Sequence, residues 1–153
     1  TRLLTNLIES ARLTSRETKH FISFIEGENH ALDLNEQFNK VANQILGTIP
    51  LTTNYQNPRS FNQLEPDTKW NLLLFLKEAL NNIIKHARAT KVEIATKRNG
   101  SNLHLTVQDN GQGLPDGTTE CRHLAQRAKL LKGNLDITSK AGEGTRASLT
   151  FKK

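Results

Sequence analysis

Three groups of residues combine side-chain types and spacings that could do chemistry. Glu78, Asn82 and Lys85 recur three and four residues apart, so a helix would stack a carboxylate, an amide and an ammonium along one stripe. A hard divalent cation takes oxygen ligands, which the Asn82 amide carbonyl can supply. Lys85 can neutralise phosphate charge, and Glu78 can order a metal-bound or attacking water. The second group is Val107-Gln108-Asp109-Asn110-Gly111-Gln112-Gly113-Leu114, where an extended run enters a loop with two glycines. Glycines there let backbone approach a ligand closely, and Asp109 can accept a hydrogen bond. The third is Gly142-Glu143-Gly144-Thr145, whose threonine hydroxyl could bridge to whatever Asp109 holds. Taken singly, each has a plain alternative: a solvated helix face, an Asn-Gly hairpin turn, an ordinary turn.

The elements that must position these groups follow from apolar periodicity. Leu73, Leu76, Leu80, Ile83 and Ala87 recur at helical spacing and predict a long helix over residues 66–88, with Pro66 in its first turn and this face buried. Glu78, Asn82 and Lys85 fall roughly on its opposite side. Residues 91–97 and 103–108 read as a hairpin turning at Asn99-Gly100, and residues 134–139 and 145–151 as a second hairpin turning at 141–144. Between them lie a Gly-rich loop over 109–117 and a helix over about 120–131. Upstream, Asp33 and Glu36 are placed for a capping box opening a helix with the stripe Leu34, Phe38, Val41, Ile45, closed by Gly47. A short strand over 48–55 and a loop through Pro58 follow. Residues 1–26 carry Leu4, Leu7, Ala11, Thr14, Thr18, Phe21 and Ile25 at alternating spacings of three and four, the seam of a helical bundle. The expected fold is α+β: a two-layer sandwich of a mixed, largely antiparallel sheet with helices on one face, over residues 30–153, plus an N-terminal helical extension over 1–26.

Composition narrows the class. The 153 residues suit one domain with an appendage, and the single cysteine, Cys121, excludes an internal disulfide and fits a reducing, cytoplasmic setting. No apolar run approaches the roughly 20 residues that a membrane span needs. A chain that opens on Thr1 and contains no methionine is expected to be a piece of a longer protein, which can itself be anchored in the inner membrane. The net charge of +6 would permit nucleic-acid binding, but the cations are scattered and most aromatics fall in apolar-periodic segments, so no nucleic-acid partner is expected.

The joint pattern is more specific than its parts. In this order, on a helix, a strand-to-loop junction and a hairpin turn, the three groups resemble the N box, G1 box and terminal Gly-Thr box of the ATPase family that unites gyrase, the Hsp90 chaperone, histidine kinases and MutL. The helix reads Glu-Ala-x-x-Asn-x-x-Lys-His at Glu78, Ala79, Asn82, Lys85 and His86, similar to sensor histidine kinases of the nitrate-sensor and thermosensor type. Gln126, Arg127, Ala128, Leu130, Gly133, Leu135 and Ile137 resemble the same group. The resemblance covers roughly residues 30–153 and implies a Bergerat-type ATP-binding fold with ATP and Mg2+ as its ligands. Carried onto this sequence, it implies Asn82 as magnesium ligand, Glu78 as the catalytic carboxylate, and Asp109 as acceptor of the adenine amino group. Gly111, Gly113 and Leu114 shape the adenine-side loop. Lys85, His86 and Arg127 serve the nucleotide, and Gly144 and Thr145 support the adenine contact. It also implies a homodimeric full-length kinase that passes phosphoryl to a histidine of its own dimerisation domain and on to a response regulator.

Two features depart from the pattern. Related kinases place Gly-x-Gly-Leu before the Arg-Ala pair, whereas this chain has Glu120 and Cys121 where glycine and leucine are expected. A carboxylate there repels phosphate, so either Arg122 and Arg127 compensate or nucleotide affinity is low. His20 precedes Phe21 rather than an acidic residue and reads as an ordinary helix residue; the acceptor histidine is expected upstream of Thr1, so these residues alone are not expected to autophosphorylate. Other readings are a nucleotide-free scaffold or dimerisation module of the same fold, favoured by Glu120 and opposed by Glu78, Asn82 and Asp109, and an anti-sigma-factor serine kinase, opposed by the bundle seam.

Overall fold

The computed structural model describes residues 33–114 and 121–153. The helix expected over 1–26, with His20, and the departure at Glu120 lie outside the described residues, whereas Cys121 opens the helix that follows. Helix α1 (Leu34–Leu46) leads into strand β1 (Leu51–Tyr55), a short helix α2 (Pro58–Asn62) and the long helix α3 (Pro66–Asn82), which continues as a π turn, Ile83–Ala87. Strands β2 (Val92–Asn99) and β3 (Asn102–Asp109), helix α4 (Cys121–Leu130), and strands β4 (Asn134–Lys140) and β5 (Gly144–Lys152) complete the order. The five strands lie in the order β1-β2-β3-β5-β4, with β1 parallel to β2 and every other pair antiparallel. The sheet is therefore mixed and largely antiparallel, as the alternation of the sequence predicts.

Strand parity sends one set of side chains to the helices. Val92, Ile94 and Thr96 of β2, Leu103, Leu105 and Val107 of β3, and Ala147, Leu149 and Phe151 of β5 are buried, while the intervening residues, polar except for Ala95, are partly or fully exposed. Opposite them, α3 buries Leu72, Leu73, Leu76, Ala79 and Leu80, and the π turn adds Ile83 and Ala87. Fully burying each Val, Leu, Ile or Phe of this interface contributes roughly 1.5–3 kcal/mol.

Three local readings are corrected. The capping box at Asp33 and Glu36 does not form: Asp33 is the N-cap residue but its side chain makes no cap bond, and the Leu34 N–H donates to Asn62 Oδ1 at 2.8 Å. Asn62 arrives on α2, a helix that the sequence reading leaves unassigned between the loop through Pro58 and the long helix; it begins with Pro58 at its first turn and buries Phe61 against Phe151. The long helix is α-helical only to Asn82. It then widens into the π turn and stops at Arg88, whose left-handed conformation (φ 50°, ψ 42°) turns the chain towards β2.

Candidate functional site

The inward rows of three strands end in polar residues. After Leu103, Leu105 and Val107 the next inward position of β3 is Asp109; on β5 the row Phe151, Leu149, Ala147 ends at Thr145; on β4 the row Leu135, Ile137 ends at Ser139. Parity alone thus gathers a carboxylate and two hydroxyls at one edge of the core. A cleft opens there, lined by Ala79, Asn82, Ile83 and Ala87 from α3 and its π turn, Val107 and Asp109, Gly113 and Leu114, Leu124 of α4, and Ile137, Thr145 and Ala147. Its lining is mostly apolar, with Asn82, Asp109 and Thr145 as the polar side chains that converge on it, the usual make-up of a small-molecule site.

Asp109 is 4% exposed. Its Oδ1 accepts the Gly111 N–H at 2.7 Å, and the Thr145 backbone N–H also donates to the carboxylate. Burial pushes its pKa above the ordinary aspartate value, and the two backbone donors oppose that push without cancelling it. The Thr145 hydroxyl lies 3.0 Å from Ser139 Oγ, which accepts the Leu114 N–H at 2.7 Å. Ser139 therefore clamps the Gly-rich loop to the last hairpin.

Gln112 joins all three groups of residues. The helix stops at Arg88, leaving the last carbonyls of its π turn open to acceptance: the Gln112 N–H donates to Ala87 O at 2.7 Å and its side-chain Nε2 to His86 O at 2.6 Å. Its own carbonyl accepts the Gly142 N–H at 3.0 Å. Asn110 secures the other side, with Oδ1 accepting both the Thr90 and Lys91 N–H groups at 2.9 Å. The loop glycines fit these approaches. A Cβ on Gly111 would enter the Ala87 carbonyl, one on Gly113 (φ +83°) would lie 2.8 Å from Lys140 O, and one on Gly144 (φ +107°) would enter the Asp109 carbonyl.

The sequence-derived residues separate accordingly. Asn82, Asp109, Gly113, Leu114 and Thr145 come together around the cleft, and Gly111 and Gly144 build its walls through backbone. The stripe Glu78, Asn82, Lys85 does not act as one surface. Asn82 faces the cleft, Lys85 is exposed and outside its lining, and Glu78 sits one turn before Asn82 with Oε1 3.4 Å from His123 Nδ1 on α4. His86 is half-buried and offers its carbonyl to Gln112; Arg127 is buried on α4, as are Leu124 and Ala128, but of these three only Leu124 lines the cleft. Gln112 and Ser139 escape motif reading, although the β4 alternation leading to Ser139 was available to find it.

The donor set suits a magnesium ion that arrives on phosphates. Among the described residues no cluster of three His, Cys, Asp or Glu side chains could hold a metal by itself, and Asn82 offers a single amide oxygen at the cleft wall. Mg2+ keeps waters and phosphate oxygens and needs only one or two protein ligands.

Residues 70–153 match the family model described as histidine kinase-, DNA gyrase B-, and HSP90-like ATPase. Among relatives, the nitrate/nitrite sensor protein NarX of Escherichia coli K12 is 32% identical over 109 residues, covering 67% of this chain and 18% of NarX. The sensor protein NarQ homolog of Haemophilus influenzae is 27% identical over 154 residues, covering 97% of this chain and 25% of that protein. The chain thus spans about a quarter or less of these relatives. In fold it is similar to the histidine kinase domain of the Erythrobacter litoralis EL346 blue-light activated histidine kinase, with a TM-score of 0.68 and 20% identity over 98% of this chain and 74% of that one. It is also similar to the ATP binding domain of PrrB from Mycobacterium tuberculosis, with a TM-score of 0.57 and 20% identity over 79% of this chain and 94% of that one. Among the described residues no helix is long and apolar enough to cross a membrane. With its inward polar edge and its three motifs drawn around one cleft, the chain belongs to the histidine kinase-, DNA gyrase B- and HSP90-like ATPases and is homologous to the sensor histidine kinases NarX and NarQ.

Proposed function

We propose that this chain binds Mg-ATP as the catalytic domain of a two-component sensor histidine kinase and donates the terminal phosphoryl group to a histidine outside these 153 residues. The observation that carries the reading is Asp109, a buried carboxylate fixed by two backbone donors at the floor of an apolar cleft with Asn82 on its wall. An ionised carboxylate accepts but cannot donate, so it selects the exocyclic amino group of adenine over the carbonyl of guanine. Val107, Ile83, Ile137, Leu124 and Ala147 supply the apolar faces that exclude water from a base. Asn82 is the residue to hold magnesium, which when bound supplies charge neutralisation at the phosphates. Glu78 orders water at the cleft rim, and Lys85 and His86 lie on the same stretch to meet phosphate charge. In the full-length protein we place this domain in the cytoplasm of a homodimer, anchored in the inner membrane, with a response regulator as its downstream partner.

Calorimetric titration with a non-hydrolysable ATP analogue, with and without magnesium, and with the matching GTP analogue tests this. Binding that strengthens with magnesium and discriminates against guanine is expected. No binding at millimolar analogue would leave a nucleotide-free scaffold of the same fold.

A further inference from the structure

A side-chain contact between α3 and α4 at the cleft rim involves a residue that no motif predicts. His123 Nδ1 lies 3.4 Å from Glu78 Oε1, and their side chains are 62% and 27% exposed, so the carboxylate is the more enclosed partner. Both neighbours in sequence turn inward beneath the pair: Ala79 after Glu78 and Leu124 after His123 line the cleft. One helical turn beyond Glu78, Asn82 lines the same wall. The pair therefore forms the rim of the wall on which Asn82 sits. A carboxylate on an α-helix has several staggered rotamers, and a half-exposed one distributes among them unless a partner selects one.

We propose that His123 is a positioning residue that selects the rotamer of Glu78 and so fixes where this carboxylate can order water beside the ion held at Asn82. His123 donates from Nδ1 to Glu78 Oε1, leaving the second carboxylate oxygen to accept from water. The interaction needs a donor at the Nδ1 position and does not need charge on the imidazole. Asparagine places its amide nitrogen close to where histidine carries Nδ1, so His123→Asn keeps the contact and His123→Ala removes it. The inference rests on the reading that Glu78 serves the magnesium nucleotide.

Its test is the factor by which magnesium tightens binding of a non-hydrolysable ATP analogue, measured calorimetrically on the 153-residue chain. The variants are His123→Ala, His123→Asn, Glu78→Gln and the double variant Glu78→Gln/His123→Ala, with thermal denaturation checking that each folds. The expected result is that Glu78→Gln and His123→Ala each reduce the magnesium factor about threefold, the size suited to a half-exposed pair. In His123→Ala the affinity without magnesium stays constant, His123→Asn restores the factor, and the double variant is no worse than Glu78→Gln. A reduced factor in Glu78→Gln with an unchanged one in His123→Ala, or additive losses in the double variant, would overturn the role of His123 and leave Glu78 standing. An unchanged factor in Glu78→Gln overturns both. Loss of affinity in His123→Ala with and without magnesium alike would mark a structural role and also overturn the proposal.

Discussion

The two hairpins of the sheet differ in what their glycines touch. At the β2–β3 turn, Gly100 has φ +64° and open space where a Cβ would stand; at the β4–β5 turn, Gly142 is similar (φ +79°) but a Cβ on Gly144 would enter the Asp109 carbonyl. Both turns carry glycine because the backbone needs positive φ. Only the second carries a glycine because another backbone occupies the side-chain position. The first hairpin joins two inner strands of the sheet, and the second brings β5 against the loop that holds Asp109. Crowding around a glycine therefore distinguishes the hairpin that builds the site from the one that merely turns.

Replacing each glycine by alanine breaks or sharpens this contrast. Gly144→Ala combines overpacking with backbone strain and is expected to cost about 3 kcal/mol and to abolish nucleotide binding, whereas Gly100→Ala is expected to cost about 1 kcal/mol from strain alone and to leave binding intact. Denaturant unfolding and calorimetry read both, and equal costs at the two turns would remove the distinction. A smaller effect is expected at Ser139, which bridges Leu114 and Thr145: Ser139→Ala should weaken ATP-analogue binding roughly fivefold, as loss of a hydrogen-bonding hydroxyl implies, while stability changes little. Unchanged affinity would make the clamp irrelevant to the ligand.

A third expectation concerns pH. Burial raises the Asp109 pKa above its unfolded value, so near the carboxylate range the folded state binds more protons at this site than the unfolded state does. Asp109's contribution to stability therefore rises as pH falls from neutral through the raised pKa, because protonation relieves a desolvated charge. Relative to Asp109→Asn, the wild-type chain should gain thermal stability across that window. Affinity for the ATP analogue should fall over the same window as the acceptor takes up a proton. A stability difference independent of pH would show that Asp109 carries no desolvated charge.

Much of the fold was legible because each strand of the two hairpins alternates cleanly and α3 repeats its apolar positions. What escaped the sequence depended on residues distant in the chain. At the start of α1 Asn62 accepts the Leu34 N–H and its amide nitrogen lies 3.4 Å from Asp33 Oδ1, while the Asp33 side chain makes no cap bond of its own. The π turn is hidden because Leu80, Ile83 and Ala87 keep spacings that an α-helix also uses. The same limit applies to the cleft. Asp109 and Thr145 stand out as motif residues, but Ser139, Gln112 and His123 matter only through the partners that the sheet register and the packing of α4 bring to them. The polar stripe of α3 illustrates the converse: three residues equally spaced in sequence meet three environments, because α4 covers one end and the cleft opens beside the middle.

The most direct measurement of the central reading is calorimetric titration of the wild-type chain and Asp109→Asn with a non-hydrolysable ATP analogue in the presence of magnesium. Wild type should bind, and the variant should lose at least about a hundredfold in affinity, as removal of a buried charged acceptor implies. Equal affinities would place adenine recognition elsewhere and contradict the assignment of this cleft as the nucleotide site.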